Sequence, residues 1–150
     1  MREYDKELHQ EFLDSFKKMT QNYLSEQNRT IDDKNIFQKA VKHNREIFKN
    51  FIEKVILPQS KVVGKENLIE FYENFKNGKS SLILSEHKSN FDVPIFYGLL
   101  YRQEEIFKEI FEKIVFVAGR KLNEESMFVK TMAELFNRVI VVPKSELGKD

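Results

Sequence analysis

The chain of 150 residues contains no cysteine and no tryptophan, and it has only 5 glycines and 3 prolines. The absence of cysteine excludes a disulfide framework, a thiol nucleophile and a cysteine metal site. No Gly-rich phosphate loop is present, so nucleotide binding has no support. The 3 histidines are scattered and no carboxylates cluster beside them, which predicts no metal site.

Long apolar runs and blocks of one charge are also missing. No segment approaches the roughly 20 apolar residues that a membrane-spanning helix needs. The charged N-terminus has no apolar core and does not resemble a secretory signal. Acidic and basic residues are interleaved and the formal net charge is +1, which argues against a dedicated nucleic-acid binder. We therefore expect a soluble, cytoplasmic chain, for which any membrane contact would be peripheral.

Aromatic residues are plentiful, with 14 Phe and 5 Tyr, and in the first 77 residues they recur at helical spacing. The stripe that begins at Tyr4 predicts a first amphipathic helix. A second helix, capped by Thr30 or Asp32, is expected to end before Pro58, and a third is expected over roughly 65–76. A helical bundle core is favoured over a channel for an acyl chain. The third helix is expected to bury its apolar residues, Leu68, Phe71, Tyr72 and Phe75.

From residue 80 the pattern changes to short, wholly apolar strands that alternate with helices. This alternation is typical of parallel sheets with crossover helices. The predicted class is α/β, with an N-terminal helical segment followed by a partial, mainly parallel sheet with crossover helices. The predicted domains are 1–77, which is helical, and 78–150, the first part of an α/β domain. Strands are predicted over 81–85, 114–118 and 139–142, and helices over 93–101, 104–113 and 127–136.

His87 and Asp92 follow the first of these predicted strands. Open α/β sheets place their chemistry where a strand ends and leads into a helix. A histidine oriented by a carboxylate is a typical general base, which removes a proton from a hydroxyl group. Asp92 has a second possible role as a helix cap before Pro94, for which Asn90 is the other candidate. Ser85 and Ser89 lack the Gly-x-Ser-x-Gly turn that a serine hydrolase needs.

A second pair, His9 and Asp14, has the same His-x4-Asp spacing and serves as a control. It lies within a strongly helical pattern, where five residues turn about 500° and leave the two side chains about 140° apart. We interpret His9 and Asp14 as solvated helix surface. The residues between His87 and Asp92 are instead typical of a loop, which can bring the two side chains together.

Three blocks of this sequence resemble the glycerol-phosphate acyltransferases of phospholipid synthesis, most closely the soluble plastid type. Ser85–Asp92 is similar to the family's His-x4-Asp signature. Phe116–Lys121 contains a Val-Ala-Gly run like that of the second motif. In Val139–Lys144 a strand leads into a basic residue, as in the family. A helical domain ahead of the catalytic one also matches the plastid-type arrangement.

The resemblance implies transfer of a fatty acyl group from acyl carrier protein or coenzyme A to glycerol 3-phosphate or its 1-acyl form. His87 would be the general base and Asp92 would orient its ring, with no cofactor and no protein nucleophile. Lys144, Arg120 and Lys121 would bind the substrate phosphate. Each of them follows a predicted strand, so in a parallel sheet they would lie at the same edge as His87. Membrane contact, inferred from the lipid product, would be peripheral.

Two features of the family are missing from this sequence, an arginine-bearing Glu-Gly-x-Arg segment and a later apolar motif with proline. Both would follow Asp150, so we expect that the chain is the front part of a longer enzyme, and their absence puts the activity of the isolated chain in doubt. A compact natural domain with three strands is the competing interpretation. The alternative function is a non-catalytic module that binds a partner or a lipid surface. Thioester hydrolysis by the same histidine is a third possibility.

Overall fold

The computed structural model of the chain describes residues 3–25, 35–120 and 126–142. By the clustering of its contacts the chain divides into two compact units, residues 1–51 with 115–150 and residues 52–114. In chain order the elements are α1 (Glu3–Ser25), β1 (Phe37–Gln38), α2 (Lys42–Val55), α3 (Lys65–Lys76), α4 (Asp92–Tyr101), α5 (Glu105–Lys113), β2 (Phe116–Gly119), α6 (Met127–Ala133) and β3 (Arg138–Val141).

The first unit contains a small mixed sheet with the strand order β1-β3-β2. β2 and β3 are parallel, with Val117 opposite Val139, and the chain between them includes α6. β1 pairs with β3 in the antiparallel direction, with Phe37 opposite Val139. The predicted α/β class is therefore confirmed, and the parallel part of the sheet with its crossover helix is present in partial form.

Aromatic side chains join the helices of the first unit. The ring of Phe12 on α1 lies 5.1 Å from Phe51 and 5.9 Å from Phe128 on α6, measured between centroids. Such pairs add about 0.5–1.5 kcal/mol each beyond their burial. The periodic stripe predicted for α1 therefore faces a core, as a helical bundle interpretation requires. The buried apolar residues of this unit are Met19, Val41, Phe48, Phe51, Ala118, Met132, Leu135, Phe136 and Ile140.

The second unit packs α4 against α5 around the fully buried Tyr97, whose ring centroid lies 5.2 Å from that of Phe111. Gly98 allows α4 to approach the end of α2 closely, because an added Cβ would lie 2.5 Å from both Ile52 Cγ2 and Ile56 Cδ1. The bounds predicted for α3 are confirmed, but the prediction that it buries its apolar residues is wrong. None of its side chains is buried, and Phe75 is 49% exposed.

The second predicted helix starts later than expected. Helix α2 begins at Lys42, while Phe37 and Gln38 form strand β1. Both Ile36 and Phe37 fit either element by their apolar character. Pairing with β3 decides the outcome, since Ile140 N also donates to Ile36 O at 2.8 Å. The proposed caps Thr30 and Asp32 lie outside the described residues.

The strand predicted over residues 81–85 is absent from the structure, and this prediction is wrong. Leu82 and Leu84 are 70% and 86% exposed, and the segment has no regular secondary structure. An apolar run of three residues is ambiguous on its own, because a strand also needs a partner for its backbone. The second unit, which the structure describes throughout, has helices as its regular elements and offers no strand to pair with inside that unit.

Within the described ranges, none of the helices combines the length and the apolar character that crossing a bilayer requires. The division of the chain after residue 77, into a helical domain and the start of an α/β domain, remains a prediction.

Candidate active site

The candidate site lies in the second unit, in the segment that connects α3 to α4. Gly78, with φ of 77°, turns the chain out of α3, and its left-handed conformation is one that glycine adopts without strain. The segment then runs without regular structure to a turn over residues 89–92, in which Asp92 N donates to Ser89 O at 3.2 Å. Helix α4 begins at Asp92 directly after this turn.

The carboxylate of Asp92 points back along the chain toward His87. His87 Nδ1 lies 3.0 Å from Asp92 Oδ2, so the convergence of these two side chains that the sequence predicted is present. The same oxygen accepts from Lys88 N at 2.6 Å and from Ser89 N at 2.9 Å. Three nitrogen atoms thus surround Oδ2, and the backbone of the turn holds the carboxylate beside the imidazole.

Ser89 completes the arrangement on the other side of the carboxylate. Its Oγ donates to Asp92 Oδ1 at 2.9 Å and accepts from Phe91 N at 3.1 Å. The sequence interpretation missed this residue as part of the site. The pattern Ser-x-x-Asp could have indicated it, because it matches the capping box, in which an acid bonds back to the backbone N–H three residues earlier.

The cap predictions are partly wrong, because Phe91 rather than Asn90 precedes α4. Asp92 is itself the first residue of the helix, where a negative charge is favourable near the positive end of the helix dipole. Its carboxylate bonds backwards to Ser89 N, so one side chain both secures the turn and contacts His87. The carboxylate of Asp92 therefore contacts the turn and His87 at the same time, and its catalytic role stays a prediction.

Hydrogen bonding keeps Asp92 ionised. The backbone N–H of Ser89, followed by that of Lys88, lowers the pKa of the Asp92 carboxyl to about 2, with smaller contributions from the side chains of Ser89 and His87. An ionised carboxylate only accepts hydrogen bonds, so the 3.0 Å contact requires a proton on Nδ1 of His87. In the neutral ring, Nε2 then carries the free electron pair.

The imidazole is open to solvent, with 69% of the His87 side chain exposed against 32% for Asp92. A base in this position can reach a dissolved acceptor. The neighbouring charges nearly cancel, because Lys88 Nζ lies 3.1 Å from Glu86 Oε2 in an exposed ion pair. Such pairs contribute about 0–1 kcal/mol, so this ion pair does little to hold either side chain in place.

Arg120 does not share a strand-end edge with His87 in the way the sequence implied. Arg120 follows strand β2 in the first unit and is exposed, whereas His87 follows an irregular segment in the second unit. The argument that both lie at one edge of a parallel sheet therefore fails for His87. Lys121 and Lys144 lie outside the described residues. Phosphate binding by Arg120, Lys121 and Lys144 stays a prediction.

The control pair behaves as predicted, since His9 and Asp14 are exposed on α1 and Asp14 Oδ1 accepts from Gln10 Nε2 at 3.1 Å. His43 is also exposed, on α2. Among the residues that the structure describes, no group of three or more metal-ligating side chains is close enough to hold an ion.

A comparison of the chain with family models, with curated proteins and with solved structures finds no match.

Proposed function

We propose that this chain is part of a glycerol-phosphate acyltransferase, in which His87 acts as general base and Asp92 orients it. The observation that carries the proposal is the 3.0 Å contact between His87 Nδ1 and Asp92 Oδ2, in an exposed turn. The resemblance of three sequence blocks to the His-x4-Asp acyltransferases supports the choice of reaction. The proposed chemistry needs no thiol from the protein, whose sequence contains no cysteine.

The proposed reaction starts at Nε2 of His87, which takes the proton from a hydroxyl group of the acceptor. The hydroxyl oxygen attacks the carbonyl carbon of an acyl thioester, and the carbon–sulfur bond breaks. The thiolate that leaves takes the proton back from Nε2. The products are an ester and a free thiol, and the ring ends in the form in which it began.

Asp92 stabilises the charged ring that forms during this transfer. The pKa of its carboxyl, near 2, keeps it anionic at neutral pH, so it presents a full negative charge to the imidazolium. The two backbone donors of the turn fix the position of that charge before the substrate arrives. Electrostatic groups that are already in place stabilise a transition state without a reorganisation cost.

The acceptor is proposed to be glycerol 3-phosphate or 1-acylglycerol 3-phosphate, and the donor acyl carrier protein or coenzyme A loaded with a fatty acid. Arg120, Lys121 and Lys144 are proposed to bind the phosphate, since the resemblance places basic residues there. Peripheral contact with a membrane surface is proposed because the product is a lipid, and a cytoplasmic location would suit these substrates.

The test is an acyl-transfer assay on purified protein with both acceptors, using His87→Ala and His9→Ala as a matched pair. General base catalysis contributes about 10²- to 10⁴-fold in rate. His87→Ala should therefore lose about that factor, equal to about 3–5 kcal/mol in the activation barrier. His9→Ala, which removes the histidine of the other His-x4-Asp pair, should keep the wild-type rate.

The products separate the competing functions. Free fatty acid that forms without acceptor would identify a thioester hydrolase. Transfer to neither acceptor by well-folded protein would favour a non-catalytic binding module, an alternative for which the exposed Leu82 and Leu84 offer apolar surface. Equal rates for His87→Ala and wild type would remove His87 from the mechanism.

A further inference from the structure

We infer that Ser89 is a positioning residue, whose hydroxyl holds the Asp92 carboxylate so that Oδ2 faces Nδ1 of His87 and fixes the imidazole tautomer. This inference deepens the proposed acyltransfer function and rests on it for its catalytic consequence. Ser89 is not proposed to touch substrate. Its effect on the reaction passes through Asp92 and then through the ring of His87.

The hydroxyl is held from two directions, which gives it a fixed orientation. Phe91 N donates to Ser89 Oγ at 3.1 Å, so an electron pair of the hydroxyl oxygen is occupied and its proton is directed elsewhere. The acceptor of that proton is Asp92 Oδ1 at 2.9 Å. A hydroxyl bonded in both ways acts as a link between the backbone and the carboxylate rather than as a free nucleophile.

This link restrains Oδ1, whereas the amides of Lys88 and Ser89 restrain Oδ2, and together these bonds set the plane of the carboxylate. Asp92 has one oxygen toward the hydroxyl and the other toward His87 Nδ1 and the amides of Lys88 and Ser89. If the hydroxyl is removed, Oδ1 loses its partner in the turn, and rotation about the Cβ–Cγ bond becomes less restricted. The carboxylate then points at Nδ1 for a smaller fraction of the time.

The tautomer of His87 reports this change directly. Free neutral imidazole side chains in water favour the proton on Nε2, whereas a fixed carboxylate beside Nδ1 holds the proton there. The base function needs the second form, because Nε2 must offer an electron pair to the acceptor hydroxyl. A serine that only secured the start of α4 would not alter the tautomer of a residue two positions earlier in the chain.

The experiment measures the ¹⁵N chemical shifts of the histidine side chains at about pH 9, where histidine is neutral. The chain has 3 histidines, so the exposed His9 and His43 are internal references. The samples are wild type, Ser89→Ala, Ser89→Thr and Ser81→Ala. Ser81 is a matched control because it is an exposed serine of the same irregular segment. Circular dichroism checks that each variant is folded.

We expect the His87 signals of wild type, Ser81→Ala and Ser89→Thr to report the Nδ1–H form. In Ser89→Ala they should move toward the shifts of His9 and His43. In the transfer assay Ser89→Ala should lower kcat about 10-fold and leave the KM for glycerol 3-phosphate unchanged. This loss in kcat is well below the roughly 10⁴-fold loss that a wrong tautomer causes in a serine protease. Ser89→Thr should restore the rate.

The two readouts distinguish failure of this inference from failure of the proposed function. Nδ1–H shifts that persist in folded Ser89→Ala would overturn the positioning role, whatever the activity. A tautomer change in a protein that transfers no acyl group would leave Ser89 as the positioning residue and overturn the acyltransferase. A lower rate with no tautomer change would also overturn the inference.

Discussion

Two pairs of residues in this chain have the same sequence spacing and different surroundings. His9 and Asp14 lie on α1, where Asp14 bonds to Gln10 one helical turn earlier. His87 and Asp92 lie across a turn that ends in the first residue of α4, and their side chains meet at 3.0 Å. The difference comes from the backbone between the two residues. A helix turns the pair apart, whereas a turn followed by a helix brings it together.

This comparison shows that a His-x4-Asp spacing has chemical meaning only together with its intervening residues. In the second pair, Ser89 and the amide of Lys88 bind the same carboxylate that contacts the histidine. The loop residues therefore supply part of the site. Parallel substitutions at the two pairs test whether the difference in structure leads to a difference in acyl-transfer activity.

Asp92→Asn against Asp14→Asn should give the largest contrast. An amide in place of the carboxylate has no full charge to stabilise the imidazolium, and its NH₂ group can meet Nδ1 and favour the wrong tautomer. We expect kcat for acyl transfer to fall about 10²- to 10⁴-fold in Asp92→Asn, while Asp14→Asn stays near wild type. Steady-state kinetics measure both. Similar losses in the two variants would contradict the assigned difference between the pairs.

Gly98→Ala separates the effect of helix packing from that of the turn, because it disturbs the packing of the helix that supplies Asp92 and leaves the turn unchanged. The added Cβ would lie 2.5 Å from Ile52 Cγ2, and overpacking of this kind costs about 1–3 kcal/mol, offset by about 1 kcal/mol of helix propensity. We expect the free energy of unfolding to fall by up to about 2 kcal/mol in urea titrations. The residual activity of the folded protein should change little, since the dyad is held locally.

Gly119→Ala is the matched control for this substitution. An added Cβ at Gly119 meets no atom within 4 Å, so its stability should be close to that of wild type. A stable Gly98→Ala variant would show that α4 and the end of α2 yield more easily than their close approach indicates. A Gly98→Ala variant that keeps wild-type stability but loses activity would show that the dyad depends on helix packing.

The smallest predicted effect is a local transition at low pH. Hydrogen bonding lowers the pKa of the Asp92 carboxyl from 3.8 to about 2, so its bonds are complete above the ordinary pKa and are lost as the pH falls through 2. The amide ¹H shifts of Lys88 and Ser89 should follow this titration, with a midpoint near 2. Asp92→Asn should abolish it and Asp14→Asn should leave it. A midpoint near 3.8 would contradict the role of the two amides.

The sequence predicts local structure well where one pattern dominates. The bounds of α3 follow from its aromatic spacing. The presence of β2 and β3 follows from continuous apolar runs. The start of α2 could not be predicted, because Ile36 and Phe37 suit a helix or a strand and a distant partner, β3, decides. The strand predicted over residues 81–85 failed for the same reason, since apolar character alone does not supply a pairing partner.

The site shows the same division between local and distant information. The contact between His87 and Asp92 could be predicted, because a loop of fixed length connects them. The bonds between Ser89 and Asp92 fit the pattern Ser-x-x-Asp, whereas the sequence prediction considered Ser89 only as a serine nucleophile. The placement of Arg120 relative to His87 depended on a parallel sheet that would include residues 81–85, and the absence of that strand removed its basis.

Within the described part of the chain, the side-chain hydrogen bonds that hold the dyad all join residues between positions 87 and 92. Closing so short a stretch costs little chain entropy, so the arrangement can form about as fast as an isolated turn does. The geometry of this six-residue segment is therefore determined by its own sequence. The rest of the molecule only has to expose this segment to a substrate. A different fold could do the same if the segment led into a helix that runs in the same direction as α4.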